Sequence, residues 1–539
     1  MKKTALFSMI LMLLCNVDLF AQGNEIDAFT LTNTELGGTA RSMAMGGAFG
    51  ALGGDLSVIS NNPAGLGIYR SSEVSGTLDF SKINTSTNWI GQSTDKDKAR
   101  FAPSIFAFSL YFPTGSEGVR NWSFGFSYNR LKDYHRSYKM SNKGQDYSMA
   151  DFAAWRAMNA FGPGKGISQD ELESENPYSN SGLSGNWLPV LGVQSGMFGH
   201  FAGRENEFQS AFGWKESDNQ WLVEKPANSS LRVNESGYMN EYNLGFGLNI
   251  SHFLFMGASL SVTDIDYKYS SFYEDAFRYN TEKDDYLYME NRLNTKGTAV
   301  SANIGVIMNL EMIRLGVAYN SPRLYDMTDY YRAWAGTEIH GYDEPKWEAA
   351  TPDGAYSEYR FKTPDKWIFS GAFVFGQSAL VSADYEIMNY RNMRFSDRNG
   401  DADYEANDYI KDDYTFLHTL KLGAEIKVTP QFAIRGGYMM QTSPMREALV
   451  ENQVEVLPAG TIPHFTVTSK PTNYVTAGLG YRFTPNFYMD LACVYRTNDS
   501  DAYAFSNTYS SRASADVVSK AAKLKTKKTR IALTFGYKF

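Results

Sequence analysis

The clusters able to do chemistry are few, and each lacks a part its reaction needs. The run Asp397-x-Asn399-Gly400-Asp401-x-Asp403, with Asp408 beyond it, has the oxygen-rich spacing of a calcium loop. Ala402 stands where the sharp turn of such a loop requires glycine, so the run reads as a solvated acidic loop. The six histidines, at 135, 200, 252, 340, 418 and 464, are scattered without metal spacing. No metal or cofactor is expected. A hydrolase would need a Ser–His pair oriented by a third polar group. Ser382 and His418 are the nearest candidates, and their relative heights are not set by the sequence. The chain is therefore read as no enzyme.

What remains is charge and glycine. Arg314, Lys421, Arg435, Arg482 and Arg530 fall on one face of alternating segments, and so do Asp384, Glu386, Glu425 and Asp490. A cation on such a face could hold a carboxylate head group, but a wall carrying both signs is expected to pair across itself. Lys523, Lys525, Lys527 and Lys528 precede the last segment, where they could meet lipopolysaccharide phosphates at a membrane rim. With a net charge of −8, nucleic acid is not an expected partner.

The elements that must position these residues are strands. In the last eleven residues Ile531, Leu533, Phe535, Tyr537 and Phe539 share one face, while Arg530, Ala532, Thr534, Gly536 and Lys538 share the other. This is period-two alternation over the length that a membrane strand needs. The pattern recurs at 72–81, 103–112, 120–130, 240–250, 253–265, 298–309, 312–321, 367–376, 378–389, 416–428, 431–441, 473–483 and 486–496, making about fourteen strands. Their connections alternate between tight turns, such as Thr429-Pro430 and Ser251-His252, and long stretches. Short periplasmic turns and long extracellular loops are the mark of a transmembrane antiparallel β-barrel, here residues 72–539. Aromatic content of 15% fits its two interfacial girdles.

The amino terminus reads as a secretory signal, 1–21: Met1-Lys2-Lys3, an apolar run from Ala5 to Leu14, and cleavage after Ala21. Its removal leaves Cys493 as the one cysteine, so no internal disulfide can form. The gap 132–239 is too long for a bare loop. It is expected to be a folded extracellular excursion with a short helix near Met149–Met158, and Trp155, Trp187, Trp214 and Trp221 in a local core.

Residues 22–71 do not alternate. Small residues dominate from Gly37 to Gly67, with Gly46-Gly47, Gly53-Gly54 and Asn62-Pro63-Ala64-Gly65, as suits a plug packed against backbone. No Walker lysine accompanies these glycines, so they are not a nucleotide loop. This segment, closing on Asn62-Pro63-Ala64 before the first strand, resembles the N-terminal hatch of the FadL/TodX family of outer-membrane transporters. The resemblance implies a fourteen-stranded barrel with the hatch inside, located in the outer membrane of a Gram-negative cell. It further implies passive uptake of long-chain fatty acids or other hydrophobic small molecules past a movable hatch, with sideways exit through a gap in the wall. Asn62, Pro63, Ala64 and Gly65 would form the hatch motif, and Gly46, Gly47, Gly53 and Gly54 its packing positions. Such a path should contain a continuous apolar pocket ending at the hatch. Outer-membrane lipid and lipopolysaccharide are expected partners. The alternative is a surface adaptor that docks secreted proteins through its extracellular loops, with the 132–239 excursion as the contact.

Overall fold

Alternating side chains can satisfy a lipid exterior only if every backbone group is bonded within the wall, and the chain meets that demand by closing on itself. The computed structural model describes residues 23–162, 164–180, 183, 185–200, 207–215, 221–278, 283–340, 346–508 and 516–539, so the expected signal peptide lies outside the described residues. Among these, fourteen antiparallel strands make the wall. They are β1 (Glu73–Trp89), β2 (Gln92–Pro113), β3 (Val119–Asp133), β4 (Asn228–Ile250), β5 (Leu254–Arg278), β6 (Asp284–Leu310) and β7 (Ile313–Asn320). Then follow β8 (Lys366–Phe375), β9 (Ala379–Asn389), β10 (Phe416–Lys427), β11 (Phe432–Gln441), β12 (Thr472–Arg482), β13 (Phe487–Tyr503) and β14 (Ala522–Lys538). The first and last strands pair from Glu73↔Lys538 to Trp89↔Ala522, which closes the sheet on itself. No helix among the described residues is long and apolar enough to cross a membrane.

An exposed apolar belt girdles the lower wall, including Phe80, Phe106, Leu244, Leu260, Ile304, Leu315, Phe369, Ile434, Leu479 and Phe535. Tight turns close its lower, periplasmic end; in the three-residue turn between Ile250 and Leu254, Ser251 and His252 both have positive φ (54° and 60°). Every expected strand is present, but the upper ends run much further than expected. The stretch 82–102 is the tip of one long β1–β2 hairpin that turns at Ile90-Gly91, and 266–297 is mostly β5 and β6. The stretch 322–366 contains strands Leu324–Glu338, Lys346–Ala350 and Ala355–Lys362.

The physical reason is an inversion of polarity. On β6, Val300, Ile304, Val306 and Met308 face outward within the belt, while Asn303 and Gly305 face inward. Higher up, Leu287, Met289 and Leu293 face inward and are buried, whereas Glu290 and Arg292 face out. The pairing continues after the lipid-facing signal has ended.

Above the belt the lumen is a protein core. Helices α3 (Met149–Asn159) and α4 (Trp187–Gln194), in the excursion after β3, pack Phe152, Trp155, Trp187 and Leu191 against Tyr273, Phe277, Leu287 and Met289 of the wall. The expected helix and local core are therefore present for Trp155 and Trp187; the side chains of Trp214 and Trp221 lie outside the described residues. The excursion is shorter than 132–239, because Arg136–Asn142 and the lower-numbered half of β4 continue the sheet.

Candidate functional site

Residues 23–72 lie inside this wall. Helix α1 (Glu25–Thr32) begins at the Asn24 cap, whose side chain accepts from the Asp27 amide while Asp27 bonds back to the Asn24 amide. Ile26, Ala28 and Leu31 pack against Tyr134, Tyr267, Met393 and Tyr414 in the upper lumen. Both carboxylate oxygens of Glu25 are buried without a hydrogen-bond partner, and burial drives its pKa well above the usual carboxylate range. Burial likewise pushes Asp27 up to about 6.

Lower down, α2 (Ala40–Ala44) is capped by Thr39, whose hydroxyl donates to Asp55 at 2.7 Å. Asp55 caps the turn Leu56–Ser60, and Asn62 caps the turn Pro63–Ile68. Asn62 accepts from the Ala64 amide at 3.2 Å and donates to the Gly50 carbonyl at 2.6 Å, tying two passes of the segment together. Gly46, Gly47, Gly53 and Gly54 all have positive φ. Close packing accompanies this at the first three; around Gly54 there is open space, so only its backbone demands glycine.

Inward-facing glycines of the wall form the seat, a feature the sequence reading missed. A Cβ on Gly437 would fall 2.3 Å from the Gly46 nitrogen, and one on Gly305 would fall 2.0 Å from Asn62 Oδ1. Their signal in the sequence is glycine at lumen-parity positions of strands.

The charges expected to line the lumen are mostly committed to this segment or to each other. Arg41 Nε and Nη2 donate to the two oxygens of Glu425, which also accepts from Arg435 Nε at 2.6 Å. Arg435 Nη1 reaches Asp490 at 2.6 Å, and Lys421 pairs with Glu386 at 2.5 Å. Arg314 donates to the Leu52 carbonyl, Asp384 accepts from the Gly50 amide, and Arg530 bonds Asp79 and the Leu36 carbonyl. Arg482 lies apart, on a polar cavity of about 290 Å³ at the periplasmic mouth. Lys528 departs from expectation: it points inward to Glu35, while Lys523, Lys525 and Lys527 of β14 point outward.

The expected continuous apolar pocket is not among the principal cavities of the described residues. Cavities of about 20, 50 and 70 Å³ lie along the amino-terminal part of the plug and are lined by charged, polar and apolar groups together, room for one to a few waters. An apolar groove of about 570 Å³ opens on the outer face at Gly371, Ala383, Ala424 and Gly436. Ser382 and His418 are not brought together: Ser382 pairs across to Gly423, and His418 bonds the hydroxyl of Tyr385. Asp397 accepts from the amides of Gly400 and Asp401, and Asp403 caps α5 (Tyr404–Asp413), so these acids organise a turn and a helix start.

The wall has a seam beside the plug. Hydrogen-bonded pairing of β2 with β3 runs from Pro113↔Asn121 to Ile105↔Asn129 and stops, while β2 continues to Gln92 bonded to β1 alone. The Arg100–Asp133 ion pair bridges the seam at 2.5 Å.

No family model matches the sequence, and no curated protein does. The crystal structure of a Pseudomonas aeruginosa FadL homologue is similar over 94% of this chain and 100% of its own, with a TM-score of 0.51 at 11% identity. The chain has the FadL/TodX fold. The P. putida toluene transporter TodX is similar over 93% of this chain and 99% of its own, with a TM-score of 0.50 at 13% identity. In this FadL/TodX-fold chain the plug is the segment ending at Ser72, and the strand number equals that expected from alternation.

Proposed function

We propose that this chain is a passive outer-membrane channel for hydrophobic small molecules such as long-chain fatty acids, closed in the state described and opened by movement of the plug as a hatch. The observation that carries the reading is the pairing of a plug held by separable contacts with a seam in the wall that lies beside it. The hatch motif, Asn62-Pro63-Ala64-Gly65, is the hinge side, wedged onto Gly305 and Gly257. Arg41 is the releasable side, because an ion pair can re-form elsewhere whereas a backbone wedge cannot. The β2–β3 seam, beside Phe101 and Tyr128, is the exit toward lipid. Two proteins of this fold, a FadL homologue and a toluene transporter, support the substrate class.

Expression of the full chain in an outer membrane lacking other routes for hydrophobic solutes should speed uptake of radiolabelled oleate or toluene severalfold. Uptake equal to the empty vector sinks the reading. A second reading, surface docking of a secreted protein, is favoured by one feature: the core of α3 and α4 spans the barrel mouth as a folded domain. A protein that co-purifies through contacts in 143–227, together with unchanged solute uptake, would establish it instead.

A further inference from the structure

Where the plug passes the seam it presents one carboxylate, Glu35, and that carboxylate is held as a ligand would be. Arg496 Nη1 donates to Oε1 at 2.7 Å and Lys528 Nζ donates to Oε2 at 2.7 Å, two cations on adjacent strands gripping one anion. Lys528 is only 3% exposed, so it cannot stand without an anionic partner. Arg100, Arg130, Lys132 and Arg530 line the small cavity beside it, together with Asp79 and Asp133. Arg100, Arg130, Arg496, Lys528 and Arg530 outnumber the three carboxylates, and Arg130 Nη1 has no acceptor. The surroundings are built for an anion.

The cavity itself, about 20 Å³, has room for no more than a single water. A second carboxylate therefore cannot bind alongside Glu35 and must replace it. Replacement exchanges one carboxylate for another and leaves no buried charge unpaired at its end. An uncharged hydrocarbon has no such exchange open to it. Ala102, Pro103 and Leu131 line the same cavity on its seam side, where an alkyl chain would lie.

We propose that Arg496 and Lys528 form the receptor for the carboxylate of a single-chain amphiphile, and that Glu35 is its built-in surrogate, displaced by the ligand so that the plug is released. This rests on the transport reading above. The segment after α1 is the part set free, since Glu35 is otherwise fixed by one backbone bond, from its amide to the Leu131 carbonyl.

The test uses the detergent-solubilised full chain with three probes: dodecanoate, dodecanol and dodecyl phosphate. Dodecanoate should raise amide exchange across 33–38, and Glu35→Gln should bind it roughly tenfold more tightly than wild type, because the competitor is gone. Arg496→Met, which keeps Glu35 in place, should weaken dodecanoate binding while leaving dodecanol unaffected. Equal affinity of wild type and Glu35→Gln overturns the surrogate. Equal affinity for dodecanoate and dodecanol overturns the carboxylate receptor but leaves hydrophobic transport standing. Tighter binding of dodecyl phosphate than dodecanoate overturns the carboxylate assignment in favour of a phosphate-bearing lipid. Binding of none of the three overturns this proposal and the transport reading together.

Discussion

Arg41 and Glu425 meet side-on in a bidentate pair, with guanidinium Nε and Nη2 at 2.9 and 3.1 Å from the two carboxylate oxygens, although they lie 384 positions apart in the chain. One belongs to the plug and the other to the wall, and Arg435 holds the same carboxylate from the far side. The contact thus fastens a short helix of five residues to a strand that would keep its own partner if the helix left.

Arg41→Ala should loosen the plug without unfolding the wall, because Arg435 continues to neutralise Glu425. The loss should be on the order of 1–3 kcal/mol, as for a hydrogen bond to a charged group. In planar bilayers the variant should show brief conductance events where wild type is silent. Silence in both would show that the pair is not what retains the plug.

Gly305→Ala puts a methyl 2.0 Å from Asn62 Oδ1, with the lipid-facing side of β6 unchanged. Overpacking of this kind costs about 1–3 kcal/mol, and here it should lift the Asn62–Ile68 turn off the wall. Protease should then cut near the plug faster than in wild type. Gly371→Ala, where open space surrounds the added carbon, is the control and should behave as wild type.

Asp275 ties the cap to β5 by accepting from the Met149 amide, Ser229 and Tyr273, and burial pushes its pKa up to about 7. A carboxyl raised in the folded state keeps its proton when the unfolded chain has lost it. Stability therefore falls as pH rises from about 4 to about 7 and is level beyond. The protection of α3 amides, taken relative to their intrinsic base-catalysed exchange rate at each pH, should be greater at pH 5 than at pH 8. Asp275→Asn should flatten that difference; a slope that persists would assign it to another group.

Trp187→Ala removes a ring that packs on both Tyr178 and Tyr331. The expected cost is about 3–5 kcal/mol, concentrated in the cap, with the fully paired wall below still folded. Limited proteolysis should cut within 143–227 while the heat-resistant barrel band on a gel remains. Loss of that band would mean that the wall cannot stand without its cap.

The lower barrel was legible residue by residue, because lipid enforces one sign of alternation: β14 shows its whole outward face in Ile531, Leu533, Phe535 and Tyr537. The upper strands were not, since Leu287 and Met289 carry the apolar face inward and look like ordinary loop sequence to a reader seeking outward grease. The plug was visible in its small residues, but its seats were hidden, because an inward glycine such as Gly437 differs from a strand-weakening one only by what lies 2.3 Å away. Nor could spacing foretell that Glu35, six residues before Arg41, would answer Lys528 across the lumen.

The reversal of polarity partway up β5 and β6 has a consequence for biogenesis. The same strand must enter hydrocarbon at one end and bury its inner face in water-excluded protein at the other. The core above the belt takes Ala502, Ala504, Phe505 and Leu524 from the final hairpin as well as α3 and α4 from the first third of the chain. It is complete only when the last strand docks on the first, so the cap cannot finish its packing before the barrel closes.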